Sequence, residues 1–390
     1  MSVLKRAPRW LIFVVGAALV LMVLAPALLG AFQLNMLAKY LCFALVGVGI
    51  ALAWGRGGML LLGQGVFFGI GGYAMAMHLS LADAEIAGRN VPDFMMITGA
   101  IEPPGYWEPF RSPAFTIAFI VVVPVLLALL LGLGTFSRRV KGAYFAILSQ
   151  ALAAALAIFL VGQQDLGGSN GISNFKYFFG FQLADPVNRK MLYFIVAGVL
   201  IVVLLLAMQL RKSRYGELLV AVRDQEERVR FLGYNPANIK LVAFGFSALT
   251  ASIAGALFVP IVGIISPSDI GVVPSLVFLF GVAIGGRASL IGPVIGAVAI
   301  AWASTELSSS WPSGWVYIQG ALYVVVIAFF PAGLAGLAKL RRAKKSNSAR
   351  AAGGMRTTKP EDVNGGLGAT PTPAEPGVGS DPNELTKARS

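Results

Sequence analysis

Apolar runs, each about long enough to cross a hydrocarbon core, recur along this chain and leave little room for a soluble fold. The runs are Leu11 to Leu29, Tyr40 to Trp54, Met59 to Leu79, Ala114 to Leu133, Ala143 to Val161, Met191 to Leu210, Leu241 to Ile261, Val272 to Ile284, Leu290 to Thr305 and Trp315 to Phe330. A backbone in lipid must satisfy its own hydrogen bonds, so runs of this length imply helices. The expected fold is an all-α polytopic membrane protein with about ten transmembrane helices. The eighth run is short and has Pro274 near its start, which fits a re-entrant or tilted segment. Composition agrees: hydrophobic residues are 57% of the chain and charged residues 13%, about half the charge fraction of a soluble domain. Lys5, Arg6 and Arg9 precede the first run, which reads as an uncleaved span.

The formal charge of +13 invites a nucleic-acid reading, but its distribution argues otherwise. With the N-terminus inside and ten crossings, 25 of the 31 Lys and Arg fall on the inner side. That asymmetry favours both termini in the cytoplasm and leaves no call for nucleic acid. Residues 1–340 are expected to be the transmembrane domain. The Gly-, Pro- and Thr-rich stretch 341–390 is expected to be a disordered cytoplasmic tail.

The longest inner connection, 213–240, carries Arg214, Arg223, Arg228, Arg230 and Lys240 among four acids. Leu218, Leu219, Val222, Val229 and Leu232 recur at helical spacing, so an amphipathic helix is expected there. Such a helix suits a soluble cytoplasmic partner; an ordinary positively charged loop reads the same from charge alone. On the other side, Ala82 to Pro113 is acidic and aromatic, and Gly162 to Lys190 is rich in Gly and Asn. The first of these reads either as a docking loop or as a solvated loop with interfacial aromatics.

Chemistry inside the spans is sparse. Of the 18 acids, only Glu306 adjoins a run, at its outer end, which disfavours an ion-coupled carrier needing a buried relay. One histidine, His78, and one cysteine, Cys42, cannot form a His/Cys metal cluster. No nucleophile stands with a base, and no Gly-x-x-x-x-Gly-Lys-Ser/Thr phosphate cradle is present, so no nucleotide hydrolysis and no cofactor are expected. Gln64, Tyr73, Gln150 and Asn170 lie in or beside glycine-rich stretches. They could line a path for a small polar solute, or tie helices together.

Several stretches taken in order resemble one family. They are Gly63-Gln-Gly-Val-Phe-Phe-Gly-Ile-Gly-Gly-Tyr73, Val140-Lys-Gly-Ala-Tyr-Phe-Ala-Ile-Leu-Ser-Gln150, Gly167-Gly-Ser-Asn-Gly171 and Tyr215-Gly216 through Arg223, Glu226, Gly233 and Lys240. Ala251-Ser-Ile-Ala-Gly-Ala256, Gly285-Gly-Arg-Ala-Ser-Leu-Ile-Gly-Pro293 and Phe330-Pro-Ala-Gly333 complete the set. Together they resemble the LivM-like permease subunits of ABC importers for branched-chain amino acids, amides and urea. Pro92-Asp-Phe-Met95, Trp107-Glu-Pro-Phe110 and Val262-Gly-Ile-Ile-Ser-Pro-Ser268 look most like the urea-importer branch. The resemblance implies an inner-membrane subunit that works with a second paralogous permease, two cytoplasmic ATPase subunits and a periplasmic solute-binding protein. It implies that Gly216, Ala221, Arg223, Glu226 and Gly233 belong to a segment coupling to an ATPase. The tail after Lys345 is not part of the family pattern. The rivals are the same permease carrying branched-chain amino acids or amides, and a stand-alone channel or secondary carrier.

Overall fold

The computed structural model describes residues 16–97, 102–138, 142–286 and 289–311, with the isolated residues 314, 317, 320 and 321. All of these belong to one unit, Met1–Arg342. Most of the tenth expected span, the 341–390 tail and Arg287 lie outside the described residues.

Among the described residues, eight helical segments are long and apolar enough to cross a membrane. In chain order, the helices begin with the short α1 (Gly16–Leu28), then α2 (Ala31–Arg56), α3 (Gln64–Ile86) and the short α4 (Asp93–Ile97). α5 (Pro113–Phe136), α6 (Gly142–Val161) and α7 (Pro186–Lys212) follow. α8 (Arg214–Phe231) is the polar exception, and α9 (Pro236–Val262), α10 (Val272–Gly285) and α11 (Ile291–Ser310) complete the order. Proline opens α5, α7 and α9, where its missing N–H costs nothing and its fixed φ suits the first turn.

The eight middle spans match their expected positions, with two physical differences. Helices run past the hydropathy runs until something caps them. Thus α3 continues to Ile86, carrying Asp83 and Glu85 in its last turns rather than in a loop. α9 continues to Gly263, whose φ of +82° ends it. The short eighth run is helical over Val272–Gly285 only, about 21 Å. A 3₁₀ turn at Pro267–Asp269 extends it.

α2, α3 and α9 form the centre. About four fifths or more of each span is buried (78%, 89% and 78%), against 22% for α5 and for α6. The central helices approach closely because the contact positions are small. A Cβ placed on Gly71 would lie 1.9 Å from the Ser252 carbonyl oxygen, and one on Gly255 1.9 Å from that of Phe68. Lipid supplies no hydrophobic drive between helices, so this backbone-to-backbone fit is what holds them. Rings of Phe43, Phe68, Phe258 and Phe278 interlock across α2, α3, α9 and α10, with centroids 5.1–6.4 Å apart. α10 and α11 form a second glycine-packed pair, in which a Cβ on Gly285 would meet the Gly292 carbonyl at 1.9 Å.

The segments 82–113 and 162–190 build a small cap at one end. Two aromatic residues of the first belong to the core of the cap: Trp107 is fully buried against Phe94, and Phe110 is buried beside Phe115 and Phe119, while Tyr106 is exposed. His78 makes a 2.8 Å hydrogen bond from Nδ1 to the Phe110 carbonyl, a structural tie. Asp83 accepts from the backbone N–H groups of Lys176 (2.7 Å) and Tyr177 (3.0 Å), clamping the hairpin of β2 (Tyr177–Phe178) and β3 (Phe181–Gln182). β1 (Ile172–Ser173) pairs with β4 (Ile264–Ile265), joining the two loops that face α3.

Candidate functional site

Two places carry the residues that the sequence marks. The first is the polar junction at the start of α3. A Cβ on Gly63 would sit 2.0 Å from the Ser149 carbonyl, and one on Gly65 2.1 Å from that of Ile270. The glycines thus let α3 meet α6 and the 267–285 segment at main-chain distance. Ser275 Oγ accepts from the Gly65 N–H (3.1 Å) and donates to the Gly271 carbonyl (2.9 Å). Gln64 follows Gly63 and Gln150 follows Ser149 at this junction, so the fold brings the two glutamines' chain neighbours together. Gln64 Oε1 and both amide atoms of Gln150 are buried without a hydrogen-bond partner. Groups buried in that state require an explanation, and a polar solute or water passing by is one.

Tyr73 stands nine residues further along α3, about 13 Å. Its hydroxyl is also buried and unpartnered. Gly69 and Gly72 beside it accept Ile270 and Ile265 of the 265–270 loop. Asn170 is exposed on the Gly168–Asn170 turn, which packs against the Pro267–Asp269 turn. Next to that turn, Ser169, Ser268, Ala157 and Pro267 line an open cavity of about 640 Å³. Ser275, which holds the junction, and Ser247, buried with an unpartnered Oγ, went unmarked by sequence reasoning. An isolated serine in an apolar run carries no signal that separates it from a packing residue.

The second place is α8, at the end opposite the cap. Leu219, Val222 and Val229 are buried, while Arg214, Glu217, Ala221, Asp224 and Arg228 form the outer face. Gln225 leaves helical φ/ψ (φ −150°, ψ 76°), yet Val229 beyond it is still buried. Leu232, expected on the buried face, is the C-cap just past the last helical residue and is exposed, together with Phe231 and Tyr234. Gly216 is needed for a tight entry, since a Cβ there would lie 2.4 Å from the Arg211 carbonyl. Gly233 has φ +88° and closes the helix. Arg223 donates from Nη1 to the Gly55 carbonyl (2.8 Å), in the widened last turn of α2, and its stem crosses Gly58. Glu226 pairs with Lys240 of α9 and with Arg230. Tyr215 donates to the Ile239 carbonyl (2.7 Å), and its burial pushes the phenol pKa up. Of the five residues marked for coupling, two shape the helix ends and two fasten the helix to the bundle. Ala221 lies on the exposed face of the helix.

A family model described as branched-chain amino acid transport system / permease component matches residues 32–330, well over half of the chain. The chain belongs to this family. As a member it is an all-α permease subunit of an ABC importer, without an ATPase site of its own. Among its relatives, the permease is 26% identical over 358 residues to the high-affinity branched-chain amino acid transport system permease protein LivM of Escherichia coli (strain K12). That match covers 86% of this chain and 77% of the relative. The LivM protein of Salmonella typhimurium matches to the same extent. Autoinducer 2 import system permease protein LsrC of Escherichia coli O9:H4 is 30% identical over 138 residues, 33% of this chain and 40% of the relative. No solved structure matches the permease. The matched stretch takes in both the glutamine junction and α8.

Proposed function

We propose that this permease imports urea, forming half of the translocation pathway with a second paralogous permease subunit. In this reading both termini are cytoplasmic in a bacterial inner membrane. Two cytoplasmic ATPase subunits work with the pair, one against each α8, and a periplasmic binding protein delivers solute at the cap end. The observation that carries the coupling assignment is α8 itself, a polar helix fastened outside the apolar set with Ala221, Phe231, Leu232 and Tyr234 left exposed. The half-pathway reading is supported by the unpartnered amide atoms of Gln64 and Gln150 beside α6, a span that is only 22% buried and open to a second subunit.

Urea is supported by the resemblance in the cap, where the two quoted motifs pack on each other through Phe94 and Trp107 (5.9 Å). It also suits a junction that offers amide donors and acceptors without charge. Import of branched-chain amino acids is the second reading, favoured by what the LivM relatives are named for. The test is uptake of labelled urea and labelled leucine, at low solute concentration, by cells with and without the chain. Loss of urea uptake alone is expected; loss of leucine uptake alone overturns the substrate. In the same assay Arg223→Glu is expected to cut uptake about tenfold, because it sets a carboxylate against the Gly55 carbonyl. The amount of permease in the membrane should stay unchanged. Normal uptake in that variant would refute the coupling role.

A further inference from the structure

Two cavities meet at Ile291. One, of about 320 Å³, is walled by Arg56 at the end of α2, Met208, Arg211 and Lys212 at the end of α7, and Ser289 and Leu290 ahead of α11. The other, of about 700 Å³, is a groove between α1, α2 and α11, bounded by residues such as Val20, Leu41, Val294, Val298 and Trp302. The groove residues are apolar or glycine. From Ile291 to Trp302 the groove follows α11 for about 17 Å, close to half the thickness of a hydrocarbon core. The basic cavity lies at the end of the spans, where headgroups sit. Arg56 and Arg211 are near enough for their charges to act on each other, a repulsion that an anion relieves.

We infer that these joined cavities hold one anionic diacyl phospholipid, its phosphate between Arg56, Arg211 and Lys212 and one acyl chain along α11. Charge complementarity selects the headgroup, and continuity with the groove selects a lipid over a soluble anion or a protein partner. Arg56 and α7 lie at the α8 end, so the lipid belongs to the cytoplasmic leaflet; that placement rests on the orientation given under Proposed function. Its role is to tie α11 and α1 to the end of α2, whose last turn also receives Arg223.

The test is native mass spectrometry of the purified full-length chain with added phosphatidylglycerol or phosphatidylcholine of identical chains. Phosphatidylglycerol should remain bound at concentrations at least about tenfold lower than phosphatidylcholine. Arg56→Gln and Arg211→Gln should each weaken phosphatidylglycerol about fivefold and leave phosphatidylcholine unchanged, with Arg211→Lys restoring binding. Val294→Trp, which fills the groove, should weaken both lipids. Equal retention of the two lipids by the unmodified chain overturns the proposal, as does unchanged binding in the charge variants. Glycerol 3-phosphate competing as well as intact lipid overturns the lipid assignment. Sidedness is read separately, by thiol labelling of Ser213→Cys in a Cys42→Ala background. Labelling from the periplasmic side would overturn the leaflet and the orientation together, while leaving the lipid measurement to stand or fall on its own.

Discussion

The contact of α3 with α9 and the contact of α8 with the bundle solve the same problem by different means. Between α3 and α9 the fit is one of shape: Gly71 lies on the Ser252 main chain and Gly255 on that of Phe68, with no charged pair involved. At α8 the helix is fastened by three buried apolar side chains, by Arg223 on the Gly55 carbonyl and by Glu226 on Lys240. The difference follows from the solvent. In lipid there is no gain from hiding apolar surface, so close backbone approach and dispersion must hold the helices. In water, apolar burial and ion pairs both contribute, and the helix can be released without breaking the bundle. Under the coupling role proposed for α8, that contrast would set a rigid centre beside a lever of lower stability.

The strongest way to break the comparison is at the seam. Gly71→Ala places a methyl 1.9 Å from a backbone oxygen that cannot move alone, and should cost about 3 kcal/mol or more. Gly134→Ala, on the exposed side of α5 with open space around it, should instead be neutral or stabilise by about 0.5 kcal/mol. Thermal unfolding of the two variants in one detergent measures the contrast. Equal midpoints would mean that α3 and α9 are free to part, and the shape argument would fail.

A smaller effect is expected at the lever. Leu219 is fully buried, so Leu219→Ala should cost about 2–3 kcal/mol, but locally. Hydrogen exchange should speed up across Arg214–Phe231 and stay unchanged in α3 and α9. Equal acceleration in all three helices would show α8 to be part of the rigid centre, and the contrast would collapse.

The eight middle spans could be read in the sequence because apolar length alone specifies a membrane helix, and the small contact residues sit within those runs. The ends were less legible. Asp83 belongs to α3 because its carboxylate has the Lys176 and Tyr177 N–H groups to accept from, and those arrive from a loop 93 residues away. Trp107 reads as an interfacial aromatic but is a cap core residue, since its partner Phe94 is brought by a turn that hydropathy cannot see. In α8 the helical spacing located the buried Leu219, Val222 and Val229. It failed at Leu232, because the helix ends at Phe231 and helical spacing no longer applies at its C-cap. Gln64 and Gln150 could be marked individually; that their neighbours Gly63 and Ser149 lie against each other is a long-range contact that hydropathy does not carry.

The smallest expected effect concerns Asp224, and it bears on which charge on the lever matters. The Arg223 guanidinium donates to its carboxylate (2.8 Å) and holds the Asp224 pKa below the usual range, with slight desolvation opposing. A carboxylate whose folded pKa is depressed adds stability above its unfolded pKa of about 3.9, and loses it as pH falls through the folded value. Asp224 is fully exposed, so the contribution is small and screened by salt. Asp224→Asn should therefore speed hydrogen exchange of α8 only slightly, and by the same amount across pH 6 to 8, once intrinsic rates are corrected for. That small difference should fade below about pH 4, where the carboxylate of the unmodified chain is protonated too. Arg223→Gln should loosen α8 at every pH, because its bond to the Gly55 carbonyl does not titrate. If Asp224→Asn loosens α8 at neutral pH as much as Arg223→Gln does, the surface pair rather than the tie to α2 holds the lever.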